Sequence, residues 1–128
     1  MVIAIAAFLA GCRPALYLEV RNELDETVYA QDFKRGTVAI LPKDSAVLDL
    51  PGRRLTVQSG QKYSFDLRLP PSKHVHTRHQ RLVVYGILGN DRFLYIATKS
   101  AEGKLQRLEP QPDGFPLKGE RIDLDSLQ

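Results

Sequence analysis

The chain is poor in the residues that staple or cross-link small folds. Among 128 residues there is one Cys, one Met and no Trp. A single thiol excludes an intramolecular disulfide, and with only three His residues beside it a Cys-rich zinc module is excluded too. Nowhere does an uncharged apolar run reach the roughly 20 residues a membrane-spanning helix needs. The charge balance is nearly level, at a formal +3, which is far less basic than a dedicated nucleic-acid binder, so nucleic acid is not expected as a partner. Familiar catalytic signatures are missing as well: no Gly-x-Ser-x-Gly elbow, no glycine-rich phosphate loop and no His-Glu-x-x-His helix. What the chain does have is ordinary globular composition, 43% hydrophobic and 26% charged, in a length that suits one domain.

The N-terminus differs from the rest. Residues 2–10 are small and apolar without a charge, and the run stops at Gly11-Cys12, followed at once by Arg13-Pro14. That length fits the apolar region of an export signal, which runs about 7–15 residues. Leu9-Ala10-Gly11-Cys12 resembles the lipobox of bacterial lipoprotein signal peptides at all four positions. The resemblance implies that residues 1–11 are a signal peptide cut just before Cys12, and that the Cys12 thiol carries a diacylglyceryl group. In that family the new amino terminus is often acylated as well. Residues 12–128 would then be a single domain held to a membrane by lipid. In such proteins the residue after the Cys biases sorting, and Arg13 there implies the outer membrane, periplasmic face, rather than inner-membrane retention.

Beyond residue 15 the pattern is period two. Leu16, Leu18 and Val20 alternate with Tyr17, Glu19 and Arg21, and Tyr63, Phe65, Leu67 and Leu69 alternate with Ser64, Asp66 and Arg68. This is the mark of strands with one face on a core. Residues 82–88 are apolar on both faces and predict a central strand. Strands over 93–98 and 104–109 then complete an antiparallel meander. Further strands are predicted over 27–33, 37–41, 46–50, 55–58 and 121–124, divided by Gly-, Pro- and Asp-containing turns. No window repeats apolar residues at helical spacing over three turns. The expected fold is all-β: an antiparallel β-sandwich, immunoglobulin-like or transthyretin-like, with a small β-barrel as the alternative. Tyr63, Phe65, Leu67, Val83, Tyr85, Ile87, Phe93 and Tyr95 are expected to supply much of the core.

Two constellations could carry chemistry. His74, His76 and His79 fall within six residues, and an extended backbone would put the first two on one side, with His79 folding back to complete a Zn²⁺ or Cu²⁺ site. Lys73, Arg78 and Arg81 set positive charge against an arriving cation, and a solvated polar loop is the alternative reading. The second is a basic surface. Residues 51–90 carry seven Lys or Arg against the single acid Asp66, with Arg53, Arg54, Lys73, Arg78 and Arg81 as its leading members, whereas residues 19–32 are acidic. Such a face suits lipid phosphates, anionic headgroups or an acidic protein; side chains merely solvating several strands are the alternative.

The combined expectation is a non-enzymatic, periplasm-facing lipoprotein of the cell envelope that binds or assembles with a protein partner, as an accessory to a secretion or envelope complex. It needs no cofactor beyond its covalent lipid. A metal-binding envelope protein using the His74–His79 loop is the competing expectation. A hydrolase built on Asp49, Asp66 and the histidines is a third.

Overall fold

The computed structural model describes residues 16–122, and these form two packed β-sheets that stay open rather than closing into a barrel. Twelve strands follow in order: β1 (Leu16–Asn22), β2 (Val28–Asp32), β3 (Gly36–Ile40), β4 (Ser45–Leu50), β5 (Arg54–Ser59), β6 (Gln61–Asp66), β7 (His76–Arg78), β8 (Arg81–Leu88), β9 (Phe93–Lys99), β10 (Leu105–Arg107), β11 (Leu117–Lys118) and β12 (Glu120–Arg121). One sheet runs β10-β9-β8-β1-β4, with β7 added to β8 and β11 added to β9; the other runs β12-β6-β5-β2-β3. The sandwich expectation holds and the barrel alternative does not.

Why the two sheets meet is written in the alternation. Leu16, Leu18, Val20, Val84, Leu88, Leu94 and Ile96 from the first sheet pack against Val28, Ala30, Leu55, Val57 and Phe65 from the second. Gly86, in the middle of β8, faces this core. A Cβ there would stand 3.2 Å from Leu18 Cδ1 and 3.3 Å from Leu94 Cδ1, so its absence lets two leucines close over the strand.

The pairing contains one element that local patterning does not announce. β1 lies antiparallel to β4 on one side, Leu16 opposite Leu50, and parallel to β8 on the other, Leu16 opposite Leu82. The meander of β8, β9 and β10 is antiparallel throughout, as expected. Several expected bounds shift: the strand over 63–69 is β6 and ends at Asp66, that over 104–109 shrinks to β10, and only Arg121 of the strand over 121–124 lies in β12, residues 123 and 124 being outside the described residues. The stretch around the histidines, read as a loop, contains β7, hairpinned onto β8 through His79 (φ 50°) and Gln80 (φ 65°). Two successive positive φ values make this a type I′ reversal, which usually recruits Asn-Gly.

The predicted core is corrected in part. Phe65 and Leu67 are in the inter-sheet core and Tyr63 packs against it. Ile87, by contrast, is buried on the outward face of the first sheet, in a satellite cluster with Ala97 and Leu105 under Tyr85 and Tyr95. Hydrophobic residues on both faces of β8 made the two sides indistinguishable by pattern alone. Polar side chains tie down the edges: the Gln111 amide donates to the carbonyls of Ile96 and Leu108 and accepts from the Ile96 amide, standing in for a strand partner on β9.

Phe65 is 1% exposed, and its ring lies so near Gly119 that a Cβ there would come within 2.9 Å of Cζ. Truncation at such a site leaves a cavity, so Phe65→Ala is expected to cost about 3–5 kcal/mol in denaturant unfolding. Gln58→Ala, on the exposed face of β5, is expected to stay within about 0.5 kcal/mol.

Candidate functional site

Residues 1–11, Cys12 and Arg13 lie outside the described residues. The histidines do not converge in the way an extended stretch would require. His74 closes a single 3₁₀ turn over Ser72–His74, so the backbone is not extended there. His76 is on β7, with its ring 4.7 Å from that of Tyr85 and tilted by 30°. His79 sits in the reversing turn. Burial lowers the His74 pKa, with the charge of Lys73 and the neighbouring His76 adding to the effect. Among the described residues no three His, Cys, Asp or Glu side chains are grouped so as to hold a metal ion.

The basic residues are distributed by topology. β1 begins at Leu16 opposite both Leu50, the last residue of β4, and Leu82, near the start of β8. The 3₁₀ turn over Pro51–Arg53 follows directly, and Arg54 opens β5 opposite Asp66, the last residue of β6. One end of the sandwich therefore collects the links 51–54, 66–81 and 100–104. These carry Arg53, Arg54, Arg68, Lys73, Arg78, Arg81 and Lys104 against Asp66 and Glu102. The opposite end collects the links 23–27, 41–45 and 89–92, with Glu23, Glu26, Asp25, Asp44 and Asp91 against Lys43 and Arg92. An asymmetry along the sequence has become a polarity along the strands.

Arg81 is partly committed elsewhere. Its guanidinium stands 3.2 Å from Asp49 Oδ1 and 5.0 Å above the Tyr17 ring. Glu19, 8% exposed on the same outward face, meets Lys99 Nζ at 3.1 Å, and that ammonium lies 5.6 Å from the Tyr85 ring centre. Both carboxylates are thus neutralised beside aromatic rings, which is how a sheet face tolerates them without a covering layer. At the β6–β12 edge, a recess of about 660 Å³ mixes Arg54, Arg68 and Lys118 with Asp66 and Glu120. Opposite charges so interleaved select no one ligand.

Sequence reasoning places a turn at residues 34–36, between β2 and β3, but assigns it no role. Residue 33 falls within a predicted strand, yet the strand stops at Asp32 and Phe33 stands 71% exposed, more than any other large hydrophobic among the described residues. Lys34 and Arg35 follow it. The turn belongs to the basic end: the Phe33 amide donates to the Asp49 carbonyl at 3.0 Å, and Asp49 pairs with Tyr17 in the register. Arg35 donates to the Val47 carbonyl, fastening the turn across the free edge of β4. The available signal was Phe-Lys-Arg-Gly, an aromatic residue joined to two cations ahead of a glycine.

Asp32 shapes that turn. Its Oδ2 accepts from the Lys34 and Arg35 amides at 2.9 and 2.8 Å, and its Oδ1 accepts from the Asp49 amide of the other sheet at 2.7 Å. Burial by itself raises the pKa of this carboxyl. The amides of Asp49, Arg35 and Lys34 and the Arg35 guanidinium outweigh burial and hold it below the ordinary carboxylate value. A depressed folded-state pKa means stability that is full above about pH 4 and is lost as pH falls through the folded value. Asp32→Asn is therefore expected to cost about 1.5–3 kcal/mol at pH 7, the range for hydrogen bonds to a charged group. In urea unfolding that gap should narrow at pH 3, and an equal gap at both pH values would contradict the assignment. No protein-family model, no curated protein and no solved structure matches the chain.

Proposed function

We propose that this chain is a non-enzymatic lipoprotein of the cell envelope, anchored through Cys12, whose sandwich stands on its basic end at a bilayer surface and serves as a binding or assembly module for an envelope protein. The observation that carries the reading is the position of Leu16. The first residue of β1 lies four positions after Cys12, at the end of the sandwich whose links 33–35, 51–54, 66–81 and 100–104 gather nine bases against two carboxylates.

Chain geometry turns this into a distance. Four residues span at most about 14 Å when fully extended. A lipidated Cys12 therefore keeps the start of β1 within about two screening lengths of the surface, each about 8 Å at physiological ionic strength. Each Lys or Arg near an anionic surface contributes about 1 kcal/mol. The anchor supplies retention, since one acyl chain holds only marginally and two or more hold durably. The bases supply orientation. β8, with eight residues, gives the sandwich a length of about 26 Å, which lifts the acidic end clear of the surface and leaves it, with the outward sheet faces, for a partner. Zn²⁺ or Cu²⁺ binding by His74, His76 and His79 finds no such support in the geometry.

Expression of the full gene beside Cys12→Ala tests the anchor. The parent protein is expected in the membrane fraction with a mass increment for acyl chains at Cys12, and the variant is expected to leave the membranes. The variant should keep only a weak, salt-sensitive attraction to vesicles containing phosphatidylglycerol. A parent without an acyl adduct, or a variant as fully membrane-bound as the parent, would overturn the reading.

A further inference from the structure

We infer that the β2–β3 turn is a membrane-contacting finger, with Phe33 entering the headgroup layer of the bilayer and the Lys34 ammonium meeting its phosphates, while the Arg35 side chain holds the turn in place. The inference rests on the anchored reading above and adds a specific contact residue to it.

Four observations converge on that turn. Phe33 is 71% exposed, and the described residues provide nothing to cover it. It is followed directly by Lys34 and Arg35, an aromatic-and-basic combination that suits the boundary between acyl chains and headgroups, where an apolar side chain enters while cationic ones stay at the phosphates. The turn sits at the end of the sandwich where β1 begins: Phe33 N–H bonds to Asp49 O, and Asp49 is the register partner of Tyr17, the second residue of β1. β1 thus begins beside the finger. Lastly, the turn is held rather than loose, because Asp32 accepts from the Lys34 and Arg35 amides while Arg35 reaches Val47 O. A fixed loop presents its apolar side chain without first having to be ordered, so little conformational entropy is lost on contact.

Leu41 is the natural comparison. It is the next most exposed large hydrophobic, at 56%, but it follows β3 at the acidic end, so the same orientation keeps it in water. Bilayer contact is expected of one and not of the other, although exposure alone would treat them alike.

Because the chain has no Trp, Phe33→Trp and Leu41→Trp each introduce a unique fluorophore. Both positions are exposed, so either variant is expected to fold, which far-UV circular dichroism checks. Each variant, expressed with its leader so that it carries its lipid, is reconstituted into vesicles of phosphatidylethanolamine and phosphatidylglycerol with or without brominated acyl chains. The Phe33→Trp indole is expected to shift to the blue and to lose most of its emission to the brominated lipid, while the Leu41→Trp emission stays as in detergent-free buffer. If the protein floats with the vesicles yet both indoles escape quenching, or both are quenched equally, the finger is refuted while the anchor stands. If the protein does not float with the vesicles at all, both readings fall together.

Discussion

Asp32 is the group on which the geometry of the basic end depends. A carboxylate 6% exposed would be intolerable alone, and it persists because three amides and a guanidinium are aimed at it. Those donors come from two places that the fold must join: the turn after β2 in one sheet, and the end of β4 in the other. Satisfying one side chain therefore fixes both the shape of the turn and its position against the neighbouring sheet. Asn22 does similar work at the far end, where its side chain donates to the Glu26 and Ile40 carbonyls and accepts from the Leu24 amide. Between these two polar seams the hydrophobic core needs only to be apolar and well filled. The seams specify how the sheets are aligned.

The same logic separates charge used for structure from charge left for recognition. Arg81 and Lys99 are absorbed by Asp49 and Glu19 on the outward sheet face, and Arg92 by Glu26 and the Ser59 carbonyl at the acidic end. A net charge counted from composition cannot make that division. It takes the strand directions to show that bases and acids are sorted to opposite ends, and the ion pairs to show that Arg81 is committed to Asp49. The basic surface expected from residues 51–90 is thus smaller than its sequence suggests, and it gains Lys34 from a segment outside that window, whereas the neighbouring Arg35 guanidinium is spent on Asp32 and the Val47 carbonyl.

Strand positions were largely legible because burial on one face imposes period two, and turns were legible where Gly, Pro, Asn or Asp marked them. The parallel pairing of β1 with β8 was not, since no local signal records which distant strand will lie alongside. β7 was missed because its reversal uses His79 and Gln80 at positive φ, residues that do not advertise such a turn. That Ile87 is buried was legible, but its place in a satellite cluster was not, because that cluster obeys the same hydrophobic rule as the main one. As for the site, the lipobox was readable because it is contiguous, whereas the exposure of Phe33 depends on where β2 stops. Three histidines close in sequence suggested a cluster, but a 3₁₀ turn at His74 and a reversing turn at His79 replace the extended backbone that such a cluster assumed.

The central place of β1 bears on how the molecule is made. Its two neighbours are β4 and β8, so the strand nearest the N-terminus cannot complete its pairing until the chain has been built as far as Leu82 and beyond. Contacts of such separation carry a large loop-closure cost and slow the search for the native state. Until then the segment from Leu16 to Asn22 can pair only with β4, and its other edge stays open to the wrong partners. The domain should accordingly fold late and in one cooperative step, and a chain cut short before β8 should aggregate rather than form a smaller sandwich.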